Sequence, residues 1–224
     1  MLDTNVTVRG AAPLRLTTFV DMASDTLAVV GTPTLQSSGL PLLAPAVAFP
    51  YPPHAYTGCR DWTSPDAHNT TVLASNATSL VLLRQFEYDA HQVACTLLNL
   101  TARRVSKHEF VFEPRAGAAS WTLACRYGAP EAAPVALPDP VLEMAQRTRH
   151  AWDAFWQDGA WVDLSRAVLH SADAFELERR MILSLYTLRA HEYGELPPQE
   201  SGFVLNTWYG KHHQVCQVWS GRER

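Results

Sequence analysis

The hydrophobic period of this chain changes along its length, and that change constrains the fold more than any other feature. Before residue 128, apolar residues recur at every second position. Val93, Cys95 and Leu97 alternate with Ala94 and Thr96, Phe110 and Phe112 flank Val111, and Trp121, Leu123, Cys125 and Tyr127 alternate through 120–127. Period two puts each set on one face of a pleated strand. Leu80–Leu83 is a short apolar run suited to a buried strand, and Asp89-Ala90-His91 reads as a turn. Leu14–Val20 and Thr26–Val30 read as further strands. Strands at short intervals with Gly, Pro, Asn and Asp between them predict an antiparallel β-sandwich over residues 1–127. The prolines within 39–68 predict loop with short edge pieces.

From residue 140 onward the period is helical. Val141, Ala145, Thr148, Trp152 and Phe155 form one stripe, and Gly159 ends it. A second helix starts near Ser171. Ala174, Leu177, Met181, Leu185 and Leu188 share a face that Phe175, Ile182 and Tyr186 widen, so this helix expects partners on more than one side. Glu176, Glu178, Arg179 and Arg180 read as its solvated flank. Trp152, Phe155, Trp156 and Trp161 read as packing residues. Between the two regimes, residues 128–140 are rich in Pro and Ala and read as a linker, ending in Asp139 as an N-cap and Pro140 in the first helical turn. Gly194 suits the second helix's C-cap, with Pro197-Pro198 beyond it. The expected organisation is a sandwich (1–127), a linker (128–140) and a helical segment (141–224).

Composition limits the partners. With 224 residues, 47% hydrophobic, the chain can fill a sizeable core. A formal charge of −4 gives no electrostatic reason to bind nucleic acid or an anionic membrane. No apolar run of about 20 residues is present, so no helix is expected to span a bilayer. The four cysteines, Cys59, Cys95, Cys125 and Cys216, contain no CxxC pair and allow three pairings as two disulfides. His213-x-x-Cys216 lacks a second ligand pair at suitable spacing, so no metal is expected, and no cofactor motif is present.

Four of the five asparagines stand in N-x-[ST] sequons: Asn5, Asn69, Asn76 and Asn99. Chance enrichment in a Thr- and Ser-rich chain gives the same pattern, while a secretory lumen gives it meaning. The N-terminal stretch shows no basic-then-apolar signal. The tail Asn206-Thr207-Trp208-Tyr209-Gly210-Lys211-His212-His213 combines aromatic faces, which stack on sugar rings, with donors for hydroxyl groups.

Five ordered blocks carry a resemblance: Ala151–Trp156, Val162–Ser165, Glu176–Tyr186, Pro197–Gly202 and Trp208–His213. Together they resemble glycoside hydrolase family 65-like proteins, in the branch related to protein-glucosylgalactosylhydroxylysine glucosidase. The resemblance spans about residues 70 to 213 and is densest from Trp152 on. It implies an N-terminal β-sandwich, a linker and an (α/α)6 toroid, and inverting chemistry on α-glucosides with an acid on one side of the bond and, in the hydrolases, a base on the other. It also implies that Trp208, Tyr209, Lys211 and His213 contact sugar.

The likeness stops after His213, and Val215 stands where similar sequences carry an acid. Twelve helices of about 11–12 residues plus loops need well over ~200 residues; 84 follow Pro140. The expectation is a truncated toroid without its catalytic carboxylates, inactive alone, whose uncovered apolar helix face drives self-association. The alternative is a non-catalytic carbohydrate-binding or interaction module built on the sandwich.

Overall fold

The computed structural model describes residues 2–6, 13–21, 23–33, 43–53, 61–87, 89–129, 135–159, 162–168 and 170–192. The chain divides into two compact units. The first holds residues 1–51 and 61–152, the second 52–60 and 153–224.

In the first unit the period-two segments form two antiparallel sheets. The larger contains β1 (Leu2–Val6), β2 (Leu14–Asp21), β3 (Thr26–Pro33), β5 (Asn69–Ser75), β6 (Ser79–Gln85), β7 (Ala90–Leu98) and β10 (Trp121–Gly128). Their order across the sheet is β1-β2-β3-β10-β7-β6-β5. The smaller contains β4 (Ala46–Ala48), β9 (Glu109–Pro114) and β8 (Leu100–Arg104), in the order β4-β9-β8. The Asp89-Ala90-His91 segment is less of a turn than its composition suggests. Ala90 and His91 already pair with Gln85 and Arg84, and the reversal is closed by the Phe86 amide donating to the Asp89 carbonyl.

Alternation explains why two sheets form. On one face of the large sheet Leu14, Leu80, Leu82, Val93, Cys95, Leu97, Trp121, Leu123 and Cys125 point toward Leu100, Phe110 and Phe112 of the small sheet, and all are buried. One residue along each strand the other face begins. Phe19, Ala28 and Ala124 there pack against Met144 of α1 (Val141–Asp158). The sheet therefore carries a buried cluster on each face, and the helix that covers the second cluster is the first element with a helical period. Val141 and Ala145 of the expected stripe pack at the margin of this cluster and Thr148 is buried, but the most buried residue of this face is Met144, which the stripe does not include.

Two connections fasten this packing. Asp21, 1% exposed, accepts hydrogen bonds from Arg147 of α1 (2.6 Å) and from Ser24 (2.6 Å). Burial pushes the Asp21 carboxyl up, but the hydrogen bonds from Arg147 and Ser24 outweigh it and hold it below its ordinary value. Arg147 also donates to Asp139 (2.8 Å), so the Asp139 carboxylate serves an ion pair, and α1 begins at Val141, one residue beyond the expected first helical position at Pro140. The described part of the linker lies on β7: the Val135 amide donates to Gln92 Oε1 (2.9 Å), and Pro138 is buried.

One glycine is dictated by packing. Gly31 on β3 stands directly opposite Trp121 on β10, and a Cβ there would come within 2.3 Å of the indole. The buried Trp121 takes the space a side chain would need.

The second unit contains the end of α1, the short α2 (Ser165–Val168) and α3 (Ala172–Glu192). Within α3, Glu176 binds Arg179 through two hydrogen bonds (2.7 and 2.9 Å) and Arg180 through one (2.8 Å), which bears out the solvated flank. These bonds hold the Glu176 carboxyl down at about 2. Phe175, Leu177, Ile182, Leu183 and Tyr186 on the same helix are exposed.

Candidate functional site

The four residues that the resemblance assigns to sugar contact, Trp208, Tyr209, Lys211 and His213, lie outside the described residues, as do Trp161, Gly194, Pro197, Pro198, Cys59 and Cys216. The four sequon asparagines lie within them. Asn5 is on β1, Asn69 opens β5, Asn76 is in the turn between β5 and β6, and Asn99 is in the turn between β7 and β8.

In the second unit a groove of about 400 Å³ is lined by Trp156, Phe175, Glu178, Arg179, Ile182, Leu183 and Tyr186. Helical spacing builds it. Phe175, Glu178, Arg179, Ile182 and Tyr186 fall at steps of three and four along α3 and so share one side. Trp156, set edge-on to Phe155 with ring centroids 5.0 Å apart, supplies the remaining aromatic face. Three aromatic rings beside a carboxylate and a guanidinium offer stacking surface together with hydrogen-bonding groups. Glu178 is the one carboxylate among the described lining residues.

A second feature, in the first unit, escaped the sequence reading. Arg84 on β6 is 5% exposed, and its guanidinium lies over the rings of Phe49 (4.5 Å) and Phe86 (4.6 Å). It donates to the Pro50 carbonyl (3.0 Å) and to His68 Nδ1 (2.8 Å). His68 stacks on His108 at 3.6 Å between centroids and 17° between planes. His108 Nε2 donates to the Pro65 carbonyl (2.7 Å), and its Nδ1 shares a hydrogen bond with the Thr70 hydroxyl (2.7 Å).

Burial pushes His68 down to about 4, assisted by His108 and by the charge on Arg84. Burial likewise lowers Arg84 to about 10. The bonds of the cluster run among its own members and to the Pro50 and Pro65 carbonyls, with Arg84 Nε left buried and unbonded, so it reads as the clasp that holds residues 61–68 to the strands. Residues so far apart in the chain carried no local pattern that could have revealed it.

Cys95 and Cys125 form a disulfide between directly opposed residues of β7 and β10, with Cα atoms 4.1 Å apart. This fixes one bond where the sequence left three pairings open. No helix among the described residues is long and apolar enough to cross a membrane. Among the same residues, no group of three His, Cys, Asp or Glu side chains is placed to hold a metal ion.

No family model, no curated protein and no solved structure matches this chain.

Proposed function

We propose that this chain is a carbohydrate-active protein related to the inverting α-glucoside hydrolases of family 65 type, and that it binds α-glucosides without hydrolysing them. The observation that carries the reading is the set of five ordered blocks between Ala151 and His213. The order of antiparallel sheets followed by helices supports it. The aromatic groove along α3 supports the ligand class, because Trp156, Phe175 and Tyr186 can stack on the apolar faces of sugar rings while Glu178 and Arg179 meet hydroxyl groups.

The expected inactivity follows from the chemistry of inversion. One carboxyl group must protonate the glycosidic oxygen while a second activates water on the opposite face, about 6.5–9.5 Å away. Glu178, the one carboxylate among the described lining residues, cannot serve both roles. The test is incubation of the purified chain with α-linked glucose disaccharides, following bound ligand and released glucose in parallel. Saturable binding without release supports the proposal, and sustained release refutes it.

A further inference from the structure

The four sequons are alike in sequence, but the fold separates them. β1 and β5 are the two edge strands of the large sheet. Asn5 lies on the first, Asn69 opens the second, and Asn76 follows immediately after it; all three are exposed. Edge strands present unpaired backbone groups to any incoming strand. On β5 the exposed side chains include Val72 and Leu73.

Asn76 and Asn99 show the sharpest contrast. Asn76 Oδ1 accepts hydrogen bonds from the Thr78 amide (2.8 Å), the Ser79 amide (2.8 Å) and the Thr78 hydroxyl (3.2 Å). All of these bonds fall on the oxygen. They hold the carboxamide in an Asx turn with the sequon threonine drawn beside it, and the residue itself is exposed. Asn99 uses the opposite atom. It sits half-buried at a left-handed φ of 56°, and its Nδ2 donates to the Ser120 carbonyl at 2.9 Å. Asn69 Nδ2 donates to the neighbouring exposed Thr71 hydroxyl (3.2 Å), a bond that water can replace.

Nδ2 is the atom that N-glycosylation modifies. We propose that Asn76, Asn69 and Asn5 carry N-linked glycans and that Asn99 does not, so that hydrated bulk flanks both outer strands of the large sheet. The donor is a lipid-linked oligosaccharyl diphosphate. The asparagine nitrogen attacks the anomeric carbon, the bond from that carbon to the diphosphate oxygen breaks, the carbon–nitrogen bond forms, and the amide releases one proton as the lipid diphosphate leaves. At Asn99 the sugar would have to displace the bond to Ser120 in a half-buried turn. The Cys95–Cys125 disulfide is an independent sign of an oxidising compartment, where this chemistry occurs. The proposal does not depend on the glucoside reading.

The test is expression of the full chain behind a cleavable signal peptide in a eukaryotic secretory host. Cell-associated and secreted pools are treated with peptide N-glycosidase in heavy-oxygen water and mapped by peptide mass spectrometry. The expected result is label at Asn5, Asn69 and Asn76 and essentially none at Asn99. Asn76→Gln should remove one glycan step on a gel, and Asn99→Gln should leave the mobility unchanged. Label at Asn99, or its absence from Asn76 or from either edge strand, overturns the proposal.

Discussion

The two units treat their apolar residues in opposite ways. In the first, the two sheets and the start of α1 bury a core on each face of the large sheet, from Trp121 and Phe112 on one side to Met144 on the other, and leave apolar residues such as Val20, Leu27 and Leu98 exposed away from them. In the second, α3 carries apolar side chains around much of its circumference and leaves Phe175, Leu177, Ile182, Leu183 and Tyr186 exposed. Period-two strands close a core by pairing with one another, whereas a broadly apolar helix depends on neighbours for its cover. Stability should therefore reside in the sheets, and binding capacity along α3.

The largest effect should come from the sheet core. Trp121→Ala is expected to cost about 3–5 kcal/mol in urea unfolding, through lost burial and the cavity left opposite Gly31. A cost near zero would mean that this core does not govern stability. Cys125→Ser opens a bridge between residues 30 positions apart and should cost about 3.5 kcal/mol, most of it through a freer unfolded chain.

Acid should loosen the clasp next. His68 titrates at about 4 when folded and near 6.5 when unfolded. Between those values the unfolded chain binds a proton that the folded one refuses. Stability should fall as pH drops from about 6.5 to about 4 and then level off in this contribution. His91, also pushed down by burial and by Arg84, acts in the same direction. Urea midpoints measured across this range should show the slope, and His68→Asn, which keeps an acceptor for Arg84, should reduce it.

The smallest effect on stability should come from α3. Phe175→Ser and Leu183→Lys lie at exposed positions and should change unfolding by no more than about 0.5 kcal/mol. Light scattering should show less self-association in both variants. A large loss of stability would instead show that α3 is as deeply packed as the sheets.

The sheet unit was the more legible in sequence because alternation reports burial directly. Trp121, Leu123 and Cys125 announced both a strand and its inward face. β1, β5 and β8 carry no strand signal in the sequence, since Leu2–Val6, Asn69–Ser75 and Leu100–Arg104 are short and mostly polar, and pairing with neighbours rather than apolar pattern makes them strands. The aromatic and charged residues of the groove were legible singly, as packing residues and as a solvated flank. Their gathering on one side of α3 with Trp156 depends on three-dimensional placement. The Arg84–His68–His108 clasp was invisible for the same reason: Arg84 meets partners 16 and 34 residues away.

The most direct test of the functional proposal is calorimetric titration of the full chain with an α-linked glucose disaccharide, with free glucose assayed in the same sample. Saturable heat that is lost in Trp156→Ala, with glucose staying at background, is the expected result. Absence of any binding heat, or steady release of glucose, would contradict the proposal.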